Sequence, residues 1–384
     1  MKNLKKIKFG ELYAIPSRNG LSRPERVRGT GYKMINMGEI FEFDRIGNIP
    51  MELVPMSPRE INDMCVEEDD LLFARQSLVL SGAGKVSIIT KVQEKTTFES
   101  HIIRVRLDKA KAEPLFYYYY FKSPYSGMRS IVQQCAQSGI RGSDLRKLVV
   151  NYPDPEDQKT IAYFINAYDQ LIDKNHKRIQ LLEESARLLF REWFVYFRFP
   201  GYEKVKIIDG VPEGWKKENI FSIADVNYGK NLPINKFTEE GEYPVYGAAK
   251  IIGKFNKYTK EKRTIIAGCR GSVGQVTITR PKSYITNNSF TFEPKNLEIF
   301  YWLYFSLDVR GFSDVISGTA QPQITLSSLC KIKLLFPNKK VIKDFELKVA
   351  SYFDLLFTLE DQNQKLAQAR DLLLPRLMSG AIKV

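Results

Sequence analysis

From residue 161 to residue 193 the chain carries a regular stripe, with steps of four and three residues alternating. Its members are Ile161, Ile165, Tyr168, Ile172, Asn175, Ile179, Leu182, Ala186, Leu189 and Trp193. A second stripe follows the same order: Phe345, Val349, Tyr352, Leu356, Leu359, Asn363, Leu366, Arg370, Leu373 and Leu377. Alternation held over more than four heptads is the signature of a coiled-coil seam. It predicts two helices of about 40 residues, each ~60 Å long at ~1.5 Å per residue. Asn175 and Asn363 stand in the seams, where a buried polar residue fixes register. Packing inside a larger bundle would also give such stripes, but their length and strict alternation favour a paired coiled coil.

Upstream of each helix the pattern changes to short runs with strand character. In the first half these are residues 32–37, 71–75, 85–90 and 101–106; in the second, residues 243–246, 264–267 and 274–279. Glycine and proline punctuate them, as turns between strands require. Each half therefore reads as a mixed α/β globule followed by a long helix. A glycine- and proline-rich hinge, from Phe199-Pro200-Gly201 to Pro212-Glu213-Gly214-Trp215, divides the halves.

The halves are copies. Adding 184 to a residue number maps residues 115–193 onto the second half without a gap. Phe116-Tyr117 falls on Phe300-Tyr301, Gly127 on Gly311, Ala136-Gln137 on Ala320-Gln321, Ile140 on Ile324 and Pro153 on Pro337. One register holds through an aromatic helix, a polar turn, a strand ending at proline and a long helix. Such a duplication has to be found before the fold is assigned.

With 58 Lys+Arg against 44 Asp+Glu, the 384 residues carry a formal charge of +14. Residues 1–153 hold +7 and residues 212–337 hold +6, while residues 154–199 hold −1, 200–211 are balanced and 338–384 hold +2. Charge concentrated on two globules, with near-neutral helices, points to two polyanion contacts. Residues 249–282 alone hold nine basic residues and one acidic one. Glycines break that stretch, so it does not form the basic amphipathic helix of a membrane-surface protein. No apolar run approaches the ~18 residues of a membrane span, and Met1-Lys2-Asn3-Leu4 leads into no signal-peptide core. Cys65, Cys135, Cys269 and Cys330 are isolated, and only His101 and His176 could join them, so no zinc site is expected. A reducing cytoplasm is the expected setting.

Catalytic patterns fail on inspection. Asn151-Tyr152-Pro153-Asp154 has the wrong order for a base-flipping methyltransferase loop. Asp157-Gln158-Lys159 opens a helix, where acids favour the macrodipole, and is not divided between nuclease strands. Gly82-Ala83-Gly84-Lys85 lacks P-loop spacing and precedes a strand, as does the run from Gly268 to Gly274. That second run suits a turn bringing backbone close to DNA.

Further motifs complete the pattern: Gly241-Glu242-Tyr243-Pro244-Val245-Tyr246-Gly247, Gly318-Thr319-Ala320-Gln321-Pro322-Gln323-Ile324, Val211-Pro212-Glu213-Gly214-Trp215 and Leu374-Pro375-Arg376-Leu377-Met378-Ser379-Gly380. In this order, on a duplicated chain, they resemble the specificity subunit of type I restriction-modification systems. One departure is that the acid–Gln pair Asp157-Gln158 is Val341-Ile342 in the second copy. The resemblance implies two target recognition domains, 1–153 and 212–337, and spacer helices in 154–199 and 338–384 joined by a linker, 200–211. The helices would pair antiparallel, giving a pseudo-two-fold mixed α/β architecture. The chain would be non-catalytic. It would bind double-stranded DNA, two methyltransferase subunits and restriction/translocase subunits. S-adenosylmethionine, ATP and Mg would belong to those partners.

Base readout favours Arg on guanine and Gln or Asn on adenine. The candidate readers are Arg75, Gln76, Lys85, Gln137 and Arg141 in the first globule, with Arg23, Arg26 and Arg28 on phosphate. In the second they are Arg270, Ser272, Gln321 and Gln323, with Lys254, Lys257, Lys262 and Arg263 on phosphate. Gln137 and Gln321 occupy equivalent turns, so a shared structural hydrogen bond is an equal reading, and a solvated surface is an equal reading for the lone arginines. At the level of function, a stand-alone DNA-binding regulator remains as the alternative.

Overall fold

The structure, a computed structural model, describes residues 5–77, 79, 82–133 and 138–382. The chain divides into two compact units, residues 1–175 with 362–384, and residues 176–361. Each unit holds one globule together with a segment of each long helix. The seven expected strands are all present, within a residue or two of the expected bounds.

In the first unit a five-stranded sheet runs in the order Arg18–Asn19, Ile102–Val105, Leu71–Ala74, Val86–Ile89, Arg45–Ile46. Beside it, Tyr32–Ile35 pairs antiparallel with Glu52–Val54 and parallel with Thr96–Phe98. Leu71–Ala74 and Val86–Ile89 are buried at every residue, and the one polar side chain among them, Ser87, donates to the Phe43 carbonyl at 2.8 Å. The aromatic helix Pro114–Lys122 is buried all round, from Phe116 to Phe121. Its phenols find partners: the Tyr117 hydroxyl donates to the Asn151 carbonyl at 3.1 Å and the Tyr120 hydroxyl to the Tyr125 carbonyl at 2.9 Å.

The second unit repeats this plan. Ala224–Tyr228, Ser289–Pro294, Ile265–Gly268 and Val276–Ile278 form a four-stranded sheet in that order. Tyr243–Gly247 pairs antiparallel with Lys250–Phe255 and parallel with Tyr284–Ile285, the same triplet as in the first unit. The aromatic helix is Phe300–Arg310. The closing strand pair also recurs: Lys6–Lys8 with Val149–Asn151, and Lys216–Asn219 with Lys333–Phe336. The duplication therefore extends well upstream of residue 115, where sequence likeness fades.

The long helices span Pro155–Phe190 and Lys339–Met378. In the first unit Asp169 meets Arg370 and Asn175 meets Asn363, so numbers rise on one strand of the pair and fall on the other. In the second unit Phe190 and Trp193 pack on Phe345, with ring centroids 5.9 and 6.0 Å apart. Both helix pairs are antiparallel. Every expected seam residue is buried or half-buried, with Ile165, Asn175, Phe345 and Val349 almost fully enclosed.

The segment expected to be a hinge is anchored. Phe199 and Trp215 are buried and stack with centroids 5.3 Å apart, so its two ends share one core. The helix openings differ as the departure from the family pattern foreshadowed. Gln158 is fully buried, accepts from the Glu113 amide at 2.9 Å and donates to the Pro153 carbonyl at 2.8 Å. Val341 and Ile342 instead join the apolar core.

Candidate DNA interface

In both units the central strand of the sheet runs into a loop closed by a left-handed glycine. In the first, Gly84 (φ +79°) donates its amide to the Ala74 carbonyl at 2.8 Å, and the Ala74 amide donates to Lys85 at 2.8 Å. In the second, Gly274 (φ +76°) donates to Gly268 at 2.8 Å, and Gly268 donates to Gln275 at 3.0 Å. A side chain would strain either glycine, since the left-handed region penalises a Cβ. Gly268 is constrained by close approach instead: a Cβ there would lie 2.3 Å from the Ser272 carbonyl oxygen.

Each loop is zipped to a returning polar segment. Gln76 pairs with Gly139, and Arg270 pairs with Gln323. The next residue of that segment donates back to the strand end: Ile140 to the Arg75 carbonyl at 2.9 Å, Ile324 to the Cys269 carbonyl at 3.0 Å. Gln133 and Gly139 exchange backbone hydrogen bonds, as do Ser317 and Gln323, 184 residues on. Gln76 and Arg270 thus hold equivalent places, as do Arg75 and Cys269. The offset at these strand ends is 194, not 184, which hid this match from the sequence register.

Arg270, Gln321 and Arg141 are exposed, and Arg75, Gln76, Ser272 and Gln323 are half-buried. Arg75 stands where the second unit has a fully buried cysteine, Cys269, whose thiol burial pushes upward in pKa. Gln137 lies outside the described residues. Lys85 is turned inward, its ammonium donating to the Phe41 carbonyl at 2.7 Å and lying 3.5 Å from Asp44.

The phosphate candidates separate into two groups. Lys254, Lys257, Lys262 and Arg26 are exposed. Arg23 is bound to Glu60 at 2.6 Å and to the Pro55 carbonyl at 3.1 Å, and Arg28 to Glu52. Hydrogen bonds from the Ser57 backbone and from Arg23 hold the Glu60 carboxyl down at about 2. Arg263 stacks 3.7 Å above the Phe357 ring and reaches Asp354 at 3.4 Å, both on the second long helix. These three arginines have their charge compensated and brace the fold. Composition could not separate the groups, because the acids that bind them are distant in sequence. Lys250, exposed on the same edge strand as Lys254, was missed.

The carboxylate of Asp169 was also missed. It is buried among Arg45, Tyr119 and Arg370, because an acid one place off the seam reads as surface.

Among the described residues, no helix is long and apolar enough to cross a membrane. The chain is similar to the type I restriction enzyme MjaIX specificity subunit of Methanocaldococcus jannaschii, at 23% identity over 371 residues, covering 88% of this chain and 85% of that one. It is also similar to the type I restriction enzyme HindI specificity subunit of Haemophilus influenzae, at 25% identity over 328 residues, with 63% and 71% covered. In fold it is similar to the crystal structure of a type I restriction-modification system S subunit from M. genitalium, with a TM-score of 0.60 at 16% identity, covering 98% and 97%. Residues 1–184 and 212–367 match the model of the type I restriction modification DNA specificity domain. With most of its length matched in two segments, the chain belongs to the type I restriction-modification DNA specificity family.

Proposed function

We propose that the chain is the non-catalytic DNA-recognition subunit of a type I restriction-modification complex. Each unit reads one half of a bipartite site in double-stranded DNA. One observation carries this reading: two repeat-related, glycine-closed loops present Gln76 and Arg270 at equivalent places. Gln suits adenine and Arg suits guanine, so equivalent loops with different readers give unlike half-sites. The charge of +7 and +6 on the two globules supplies the sequence-independent phosphate attraction.

The long helices set the half-site separation and dock two adenine methyltransferase subunits. Support for two copies of one partner comes from exposed apolar residues at matching repeat positions. Tyr163, Leu171 and Leu372 are exposed in the first unit, and Leu347, Leu355 and Leu188 in the second. Each is 184 residues from its counterpart. S-adenosylmethionine resides in those methyltransferases, and ATP with Mg in a restriction/translocase subunit, all acting in the cytoplasm. Deleting the gene and profiling methylation across the genome tests the reading. Loss of one bipartite adenine-methylated motif is expected; an unchanged methylation pattern would overturn it.

A further inference from the structure

In the first unit the Asp169 carboxylate, on the first long helix, gathers groups from three other segments. Arg370 of the second long helix donates to Oδ1 at 2.7 Å. The Tyr119 hydroxyl donates to Oδ2 at 2.6 Å, and Arg45 of the globule lies 3.5 Å from the same oxygen. Asp169 is only 8% exposed. The repeat allows a position-by-position comparison. Counterparts of Asp169, Tyr119 and Arg370 are Phe353, Leu303 and Ala186. All three are buried members of the second unit's apolar core. One copy of the duplicated packing is ionic, and the other is apolar.

Duplication creates a hazard that this difference removes. Both long helices carry the same heptad register, so first helices of two chains have matching seams, as do second helices. In a pair of first helices, Asp169 would face Ala186 and Asn175 would face Ile179. In a pair of second helices, Arg370 would face Phe353 and Asn363 would face Leu359. Either arrangement breaks the buried Asp169–Arg370 ion pair, which is strongly destabilising, and leaves the seam asparagine facing an apolar side chain, whereas the unlike pair joins Asp169 to Arg370 and Asn175 to Asn363. Buried polar groups in helical seams act most reliably as selectors of register and partner.

We infer that the Arg45–Asp169–Arg370 cluster is a pairing key. It favours pairing of the unlike helices within one chain and excludes like-with-like pairing between copies, so that two different globules stay on one molecule. This goes beyond the DNA-recognition reading and does not depend on it.

The test uses the full-length chain, unfolded in urea, refolded at several concentrations and sized by chromatography with light scattering. Wild type is expected to refold to monomer. Asp169→Phe combined with Arg370→Ala installs the second unit's apolar pair in the first. It is expected to give a folded protein with a dimer fraction that rises with concentration. Asp169→Asn, which removes only the charge, is expected to give a smaller dimer fraction and a lower Tm. Monomer alone from both variants would overturn the inference. If the double variant does not fold, Asp169→Asn decides: a dimer fraction on refolding supports the key, and monomer alone overturns it.

Discussion

In the seam of the first unit, the Asn175 side-chain nitrogen donates to the side-chain oxygen of Asn363 at 2.9 Å, with both residues buried. The Asn363 nitrogen is left without a partner among the described residues. Such a half-satisfied amide pair lowers stability while fixing the alignment of two otherwise apolar helices. Asn175→Leu alone strands the Asn363 amide and should cost about 1–3 kcal/mol, read as a lower urea midpoint. Replacing both residues with Leu should raise the midpoint above wild type, because an apolar pair there leaves nothing unsatisfied.

Gly268→Ala should disrupt one loop and leave the other intact. The added Cβ meets backbone at Ser272 and Ala248, which cannot swing away as a side chain could. Overpacking of this kind typically costs about 1–3 kcal/mol. Binding to duplexes altered in one half-site at a time should show weakened reading of the second unit's half only, and thermal unfolding should show a lower Tm.

Glu346 gives the second unit a pH dependence. Its carboxylate accepts from the Trp302 amide at 2.7 Å, and burial pushes its pKa from 4.5 up to about 7. The folded state therefore holds this proton more tightly than the unfolded chain. Its contribution to stability is therefore fully present below pH 4.5, declines as pH rises toward 7, and is flat above. Glu346→Gln should flatten that part of the Tm–pH curve, as calorimetry at a series of pH values would reveal.

Salt should separate the two groups of basic residues. Affinity for DNA should fall steeply between 50 and 200 mM salt, with a log–log slope of about −0.9 per phosphate neutralised. Lys254→Ala and Lys257→Ala should each reduce that slope by about one while leaving sequence preference unchanged. Arg23→Ala should leave the slope nearly unchanged and lower the Tm instead, because its guanidinium is already bound to Glu60.

The long helices, the duplication and the buried strands were legible because each rests on a local period or a repeated register. Strands such as Lys250–Phe255, largely exposed, and Ala224–Tyr228, alternating in burial, carry too few apolar residues to stand out. The site was legible only in outline. Arg270 and Gln76 were singled out as residue types that suit bases, but their equivalence depends on pairing with segments far along the chain. Arg23, Arg28 and Arg263 read as phosphate contacts in the sequence, because their acidic partners, Glu60, Glu52 and Asp354, are set by tertiary packing. Asp169 was invisible for the same reason.

In the proposed function, equivalent loops read different halves of one site. The most direct measurement is the methylated motif obtained by long-read sequencing from cells carrying Gln76→Ala or Arg270→Ala in place of wild type. Each lost contact is expected to weaken discrimination by about 1–3 kcal/mol at one base pair. Gln76→Ala should relax one position in one half of the motif, and Arg270→Ala one position in the other half, with the spacing between halves unchanged. Relaxation of the same half by both variants, or a uniform loss of methylation with an unaltered motif, would contradict the account.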